Sequence, residues 1–513
     1  MSEVLVVGAG PTGLALACGL RLQGVPVRVV DRAPGPASTS RANFLHARGS
    51  EVLDRLGALG RLPEESLRAL QVTTYLGDRP IMRLVFGDPG LQTAAPPMVV
   101  SQAKVESALR DRLAELGGAV TWHLPLVGLE QDEHGVTATL GGMSGEAPQV
   151  ERFGWVVGCD GTGSSTRKVA GIGFPGVKLT ERFLLADLHL DWDLDRSGTS
   201  GWIHPGGLLG AMPMPDPEGA AGRDGGDDLW RLIAYDPGHG GDKSSEQEIL
   251  DRLRMILPER SGRQVTIGDA EWLSLFTIHR RLADRYREGR VFLAGDAAHA
   301  HAPFGGQGML TGVGDAENLA WKLALVIHGK ATGDLLDTYE AERRPLATEV
   351  LRGTSGVTKM NVAGNPFGRF LRDRVVVKLF NLPSVQRWAT YTTSQLWVSY
   401  RKGPLGGRGS KPRPGDRVPD VAVVRADGSA SRLHAELGGR WALLVPRAGS
   451  DDVEAAVHRR LEDQVSLLRH NDEKAMLVRP DAHMAWRGND CDGLDRWLDG
   501  ALGLGQATTR PVR

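Results

Sequence analysis

The chain has 513 residues, enough for about two to four domains with separate hydrophobic cores. At 41% hydrophobic and 24% charged residues it has the composition of a soluble globular protein, and a net charge of −1 argues against nucleic acid or an anionic membrane as partner. Cys18, Cys159 and Cys491 form no pair or metal spacing, so neither a disulfide nor a metal is expected and a cytoplasmic location is. No apolar run is long enough for a signal peptide or a membrane span.

Val4 to Val7 reads as a strand buried on both faces. Gly8-Ala9-Gly10-Pro11-Thr12-Gly13 follows at once, and Leu14, Ala15, Cys18 and Leu22 recur at helical spacing. Val27 to Val30 is a second strand that ends in Asp31. In this frame Gly8 makes the tight turn, Gly10 admits a pyrophosphate and Gly13 lets helix pack on strand. The helix N-terminus offers free N–H groups to phosphate, and Asp31 can accept from a ribose hydroxyl. Strand, glycines, helix and terminal acid together predict a dinucleotide site. Whether Arg32, next in the chain, serves a 2′-phosphate is open.

A helix is expected to open at Ser40-Arg41-Ala42 and run through Leu56. Arg41 can reach the pyrophosphate or be a solvated surface arginine. Short strands are expected over Gln71 to Leu76 and Ile81 to Phe86. Gln102 begins a helix, as an ordinary first-turn residue or as an amide facing a cofactor. Trp155 to Gly158 is another buried strand, ending in Cys159-Asp160-Gly161, with Arg167 on the helix that follows. Residues 180 to 280 alternate like an antiparallel sheet and form the natural substrate-facing layer. Arg290 to Ala294 gives a further strand before Gly295-Asp296. Then come Pro303-Phe304-Gly305-Gly306-Gln307-Gly308-Met309-Leu310 and a helix over Asp315 to Ile327. That glycine run is either a cofactor-facing loop or plain helix capping. Arg343-Arg344-Pro345 marks a helix end or kink. A Gly/Pro-rich linker over 403–419 precedes a small α/β unit from Asp420.

Three signals thus stand in one order: GAGPTG with Asp31, CDGTGSSTR, and AGDAAHAHAPFGGQGM. This pattern resembles the FAD-dependent aromatic hydroxylases of the para-hydroxybenzoate hydroxylase type. Length and layout resemble above all the polyketide and anthracycline hydroxylases and rifampicin monooxygenase. The resemblance implies an α/β chain: a Rossmann-like FAD-binding domain (1–175 with 281–350, a sheet insertion near 70–100) and an inserted antiparallel-sheet substrate domain (176–280). A helical segment (351–402), the linker and a thioredoxin-like C-terminal domain lacking Cys-x-x-Cys (420–513) complete it. By position it assigns FAD contacts to Gly8, Gly10, Pro11, Thr12, Gly13, Asp31, Arg32, Arg41, Gln102 and Asp296. Asp160 and Arg167 match a motif tied to FAD and NAD(P)H, and Pro303 with Gly305, Gly306, Gln307, Gly308, Met309 and Leu310 the loop beside the flavin ring. Leu310 stands where the family commonly has asparagine, and Gly314 where it often has glutamine.

The implied reaction is hydroxylation of an aromatic polyketide or related multi-ring phenol with NAD(P)H and O2 through a flavin C4a-hydroperoxide. Baeyer–Villiger oxygenation of a polyketide ketone is the alternative on the same scaffold, and a non-oxygenating redox or interaction partner the alternative of another class. A homodimer is left open. No general base can be assigned: His204, His279, His301 and Tyr391 are candidates. No Trp-x-Trp-x-Ile-Pro stretch supports halogenation.

Overall fold

In the computed structural model the described residues are 3–37, 42–67, 70–141, 147–215, 228–236, 245–300, 306–361 and 382–503. Strand β1 (Val4–Val7) is buried along its whole length, as its unbroken β-branched run requires. Helix α1 (Pro11–Leu22) carries proline at its first position, where the missing N–H costs nothing. β2 (Val27–Val30) returns parallel to β1, whose other edge pairs in parallel with β3 (Trp155–Gly158). Val291–Leu293 and Val120–Thr121 extend this parallel sheet on either side, with Arg287–Glu288 as an antiparallel edge. The C-terminal ends of β1, β3 and Val291–Leu293 therefore share one rim, where loops 8–10, 159–164 and 295–298 converge.

The helix expected from Ser40 is shorter. Phe44–Leu45 pairs with Met98–Val99 as a two-stranded ribbon, and helix α2 spans only Ala47–Arg55. Phe44 is drawn into this extended backbone by packing with Phe86 and Val99. Residues 38–41 lie outside the described set.

A second sheet has eight strands in the order His299–Ala300, Thr266–Leu282, Gly176–Asp191, Leu229–Asp236, Leu209–Pro213, Gly198–Trp202, Gln71–Leu76, Arg79–Val85. Only Gly198–Trp202 and Gln71–Leu76 pair in parallel. Residues 246–261, read from sequence as part of the sheet region, are a helix. Ser245 and Glu248 close a capping box at its start, and Gly262 ends it in left-handed geometry (φ 69°). Ile249, Leu253, Ile256 and Leu257 of this helix pack on Trp230, Leu232 and Ala234. Strand alternation then turns Arg231 and Ile233 to the opposite face.

Helix α3 (Gln307–Ile327) crosses α1 and α2, and α4 (Asp334–Asn361) packs on α3. Pro345 lies inside α4 and does not end it. The C-terminal unit holds a six-stranded mixed sheet, Ala430–Arg432, Ala422–Arg425, Val465–His470, Trp441–Pro446, Ala475–Val478, Met484–Gly488, with helices Asp451–Leu461 and Cys491–Leu502 beside it. Residues 403–419 are held to it by backbone: Gly415 N–H donates to Met484 O at 2.7 Å and Val418 N–H to Ala482 O at 2.9 Å.

Candidate active site

The two sheets enclose a cavity of about 800 Å³. One wall is the rim of the parallel sheet: Gly10, Pro11, Thr12, Cys159, Gly161, Thr162 and Asp296. The facing wall is the inner surface of the eight-stranded sheet, with Leu185, Ile233, Trp272 and Phe276, and Phe44, His46 and Phe86 close one side. Gly306, Gly308 and Met309 at the start of α3, and Gln102, complete the lining.

The glycine turn shows what each position is for. A Cβ on Gly13 would sit 1.9 Å from Gly8 O, and one on Gly8, which has φ +107°, 2.4 Å from Cys159 O. Both are squeezed between backbones. At Gly10 nothing lies within 4 Å of an added Cβ, so the backbone there is bare toward the cavity. No side chain caps the α1 N-terminus. A bare glycine, free helix-end N–H groups and their partial positive charge fit a pyrophosphate.

The other sequence-derived candidates fall into distinct places. Asp31 accepts from Ala9 N–H (2.6 Å) and Ala33 N–H (2.8 Å), which braces the glycine turn with one acceptor site used on each carboxylate oxygen. Arg32 is exposed. Gln102 lines the cavity and donates to Glu106 Oε1 at 2.8 Å. Asp160 turns into its own loop and accepts from Ser164 Oγ (2.5 Å) and from Thr166 N and Oγ1 (3.0 and 3.1 Å). Arg167 is buried behind the cavity wall, donates to Ala297 O and Thr162 O (2.8 Å each), and lies 3.8 Å over the Phe174 ring. Burial lowers its pKa, with Asp160 opposing. Asp160 and Arg167 thus shape loops 159–164 and 295–298, while Asp296 faces the cavity.

Arg41, Pro303, Gly305 and the histidine at 301 lie outside the described residues. Gly306, at φ 63°, precedes α3. Gln307 Oε1 is 3.5 Å from Gln395 Nε2. Leu310 is 2% exposed and points at Gly49 of α2, whose added Cβ would meet Leu310 Cδ1 at 3.5 Å. An added Cβ on Gly314 would lie 2.9 Å from Arg343 Nη2, which accounts for a glycine there. Of the candidate bases, His279 borders the cavity. His204 Nδ1 accepts from Gly206 N–H, and Tyr391 is 38% exposed on the helix Pro383–Thr393.

Sequence reasoning missed three groups. Asn43 and Arg231 line the cavity. Within α3, Asp315 accepts from Gly295 N–H (3.0 Å) and Arg343 Nε (2.6 Å) and pairs with His299 Nε2 (2.6 Å). Burial alone would raise the Asp315 pKa; Arg343 and His299 outweigh it and bring it down to about 2. Asp315 thereby pins the loop that carries Asp296. Its place about two helical turns past the glycine run that ends at Gly308 is the only sequence signal for it.

Comparison with known proteins fits this construction. Residues 1–354 match the FAD binding domain family and residues 411–504 the aromatic-ring hydroxylase C-terminal family. The 12-dehydrotetracycline 5-monooxygenase/anhydrotetracycline 6-monooxygenase of Streptomyces rimosus is 34% identical over 97% of this chain and 97% of its own. The rifampicin monooxygenase of Streptomyces venezuelae is 34% identical over 96% of each chain. An aromatic hydroxylase from angucycline biosynthesis superposes with a TM-score of 0.79 at 30% identity, covering 98% of this chain and 99% of that one. Aklavinone-11 hydroxylase, in a ternary complex with FAD and aklavinone, superposes with a TM-score of 0.78 at 27% identity and the same coverage. The chain belongs to the FAD-dependent aromatic-ring hydroxylases and is a flavin monooxygenase, with FAD as its cofactor and NAD(P)H and dioxygen as co-substrates.

Proposed function

We propose that this monooxygenase hydroxylates a multi-ring aromatic polyketide in the cavity between the glycine turn and the eight-stranded sheet. The observation that carries this reading is the cavity itself, which runs unbroken from Gly10 and Thr12 to the apolar and aromatic surface of Ile233, Trp272 and Phe276. A flat, largely apolar ring system fits such a wall, because the burial of aromatic faces is the main favourable term available there. Relatives named for tetracycline, rifampicin and aklavinone chemistry support the substrate class.

Gly8, Gly10 and Gly13 with the α1 N-terminus would hold the FAD pyrophosphate, and Asp31 a ribose hydroxyl through the acceptor sites it has left. Asp296 and the backbone at Gly306, Gly308 and Met309 would border the rest of the cofactor. When bound, FAD supplies reduction by NAD(P)H and the transfer of one oxygen atom from dioxygen. The chain's own share is to fix the ring in place and to keep water from its reacting edge. Phe44, Phe86, Trp272 and Phe276 exclude water from one side and hold the ring plane. Asp160, Arg167 and Asp315 keep the two rim loops in place from behind. The C-terminal unit is read as thioredoxin-like without redox work, since Cys491 is the only cysteine after Cys159 and its thiol pKa is raised. Three free thiols support a cytoplasmic location.

The test is product mass. FAD-loaded protein supplied with NAD(P)H, isotopically labelled dioxygen and a panel of polycyclic phenols should give a product heavier by one labelled oxygen with the ring skeleton intact. A ring-expanded lactone would replace hydroxylation by Baeyer–Villiger oxygenation. Peroxide alone with every phenol would remove the polyketide assignment.

A further inference from the structure

On the cavity face of the eight-stranded sheet, Leu185, Ile233, Trp272 and Phe276 give an apolar surface, Thr199, Thr277 and His279 add polar groups, and one cross-strand row carries a buried ion pair. Trp272, Asp187, Arg231 and Met212 lie side by side on four adjacent strands, each in register with the next. Asp187 and Arg231 are each 5% exposed. Arg231 Nε and Nη2 donate to the two Asp187 oxygens at 2.7 and 2.6 Å, so the guanidinium plane is fixed, and its Cζ lies 5.6 Å from the Trp272 ring centroid. Arg231 Nη1 is buried with no hydrogen-bond partner among the described residues. On the far side of Met212, Asn43 is 4% exposed and gives its Nδ2 to the Met212 thioether at 3.2 Å, a weak acceptor. Asn43 Oδ1 has no partner among the described residues. Both residues line the cavity.

A buried donor and a buried acceptor left open toward the cavity carry a desolvation cost that a ligand with the complementary acceptor and donor returns. The ion pair with Asp187 already neutralises Arg231. A second carboxylate would leave net negative charge in a buried row, whereas a neutral carbonyl oxygen would not. We propose that Arg231 and Asn43 are the substrate-anchoring pair of the enzyme and that they read a hydroxyketone edge. A ring carbonyl accepts from Arg231 Nη1 and a neighbouring phenolic O–H donates to Asn43 Oδ1. The proposal rests on the polyketide reading and sharpens it: the ring system must carry a carbonyl beside a hydroxyl, and that edge faces the Met212 end of the sheet.

The test is binding to the FAD-loaded enzyme without NAD(P)H, followed through the visible flavin spectrum. The probes are danthron (hydroxyls flanking a carbonyl), unsubstituted anthraquinone (carbonyl only) and the matching dihydroxyanthracene (hydroxyls only). Wild type should bind danthron about tenfold or more tighter than dihydroxyanthracene, the size expected of one hydrogen bond from a charged donor. Arg231→Met should abolish that preference while dihydroxyanthracene binds as before. Because this variant strands Asp187, the double variant Asp187→Asn/Arg231→Met removes both charges and must show the same loss. Asn43→Leu should erase the preference for danthron over anthraquinone. Equal danthron affinity in wild type and variants overturns the assignment, as does tighter binding of an anthraquinone carboxylate. Either result leaves the hydroxylase reading standing if phenols are still oxygenated. If no ring compound binds wild type and none is oxygenated, the polyketide reading falls and the anchoring pair with it.

Discussion

Helix α3 carries two opposite kinds of surface. Its first turn, with Gly308 and Met309, borders the cavity without a charge. Its middle, with Asp315, Glu317, Asn318 and Lys322, is buried among ion pairs reaching α2, α4 and the C-terminal unit. There Glu342 of α4 accepts from Arg479 Nη1 and Nη2 (2.8 and 2.9 Å) and from Lys322 Nζ (2.8 Å), and all three side chains are fully buried. Arg55 donates to Glu317 at 2.7 Å, and Arg417 pairs with Glu51. The cavity-facing side thus uses backbone, glycine and apolar groups, which a ligand can approach closely. Charge stands one layer behind, where it fixes the helix. The first surface borders the cavity, and the second joins α3 and α4 to the C-terminal unit.

The two surfaces should break differently. Gly13→Ala gives the largest effect: with a Cβ 1.9 Å from Gly8 O, the turn must open, and the protein should purify without flavin. Gly10→Ala meets no atom within 4 Å, so its unfolding temperature should match wild type while FAD binds at least about tenfold more weakly. Flavin-to-protein absorbance and thermal unfolding read the two variants together. Wild-type flavin content in either variant would contradict the role given to the glycine turn.

Breaking the second surface should cost stability and spare the cavity. Glu342→Gln leaves the buried Arg479 and Lys322 under-compensated, a loss of about 3–5 kcal/mol. Denaturant unfolding at saturating FAD checks this, and the folded variant should keep its flavin. Flavin lost in step with stability would mean that the interface also shapes the cavity.

Acid should weaken this interface in two stages. Burial lowers the His434 pKa from 6.5 to about 3, and Arg55 and Arg417 add to that against the pull of Glu51. The unfolded chain then binds a proton that the folded one refuses, so stability is full above about pH 6.5 and falls as pH drops toward about 3. Glu342 would be raised by burial, but Arg479 and Lys322 hold it at about 2; with Asp315, also at about 2, its contribution is intact above about pH 4.5 and lost as pH falls toward 2. The unfolding temperature should decline from pH 6.5 downward and steepen below about pH 4.5. His434→Gln should flatten only the upper part.

What was legible in the sequence was what is contiguous in it. β1, α1, β2 and the three rim loops announce themselves because a turn, its flanking strand and its helix are neighbours in the chain. Asp160 and Arg167 were visible as residues, but their partners Thr166, Thr162 and Ala297 depend on side-chain direction, which spacing does not report. Arg231 reads as one more residue of an alternating strand until register brings Asp187 beside it. The helix 246–261 had its signal in Ser245 and Glu248, hidden by strand-like runs on both sides. The charged interface joins residues such as Glu342 and Arg479, 137 positions apart, and no local pattern marks such a pair.

Leu310 gives the smallest and sharpest comparison, because it stands at the boundary of the two surfaces. The resemblance places a common asparagine here, beside the flavin. In this chain the side chain is 2% exposed, packs toward Gly49 of α2 and does not line the cavity, while its neighbours Gly308 and Met309 do. Leu310→Asn would put an amide among apolar atoms and should lower stability by about 1–3 kcal/mol. It should not strengthen FAD binding, since whatever contact the cofactor makes at this turn comes from backbone that any residue supplies. Titration of apoprotein with FAD should therefore give equal affinity for wild type and variant alongside a lower unfolding temperature. A gain in affinity would show that the amide reaches the cavity, and that α3 rotates about its own axis when the cofactor binds.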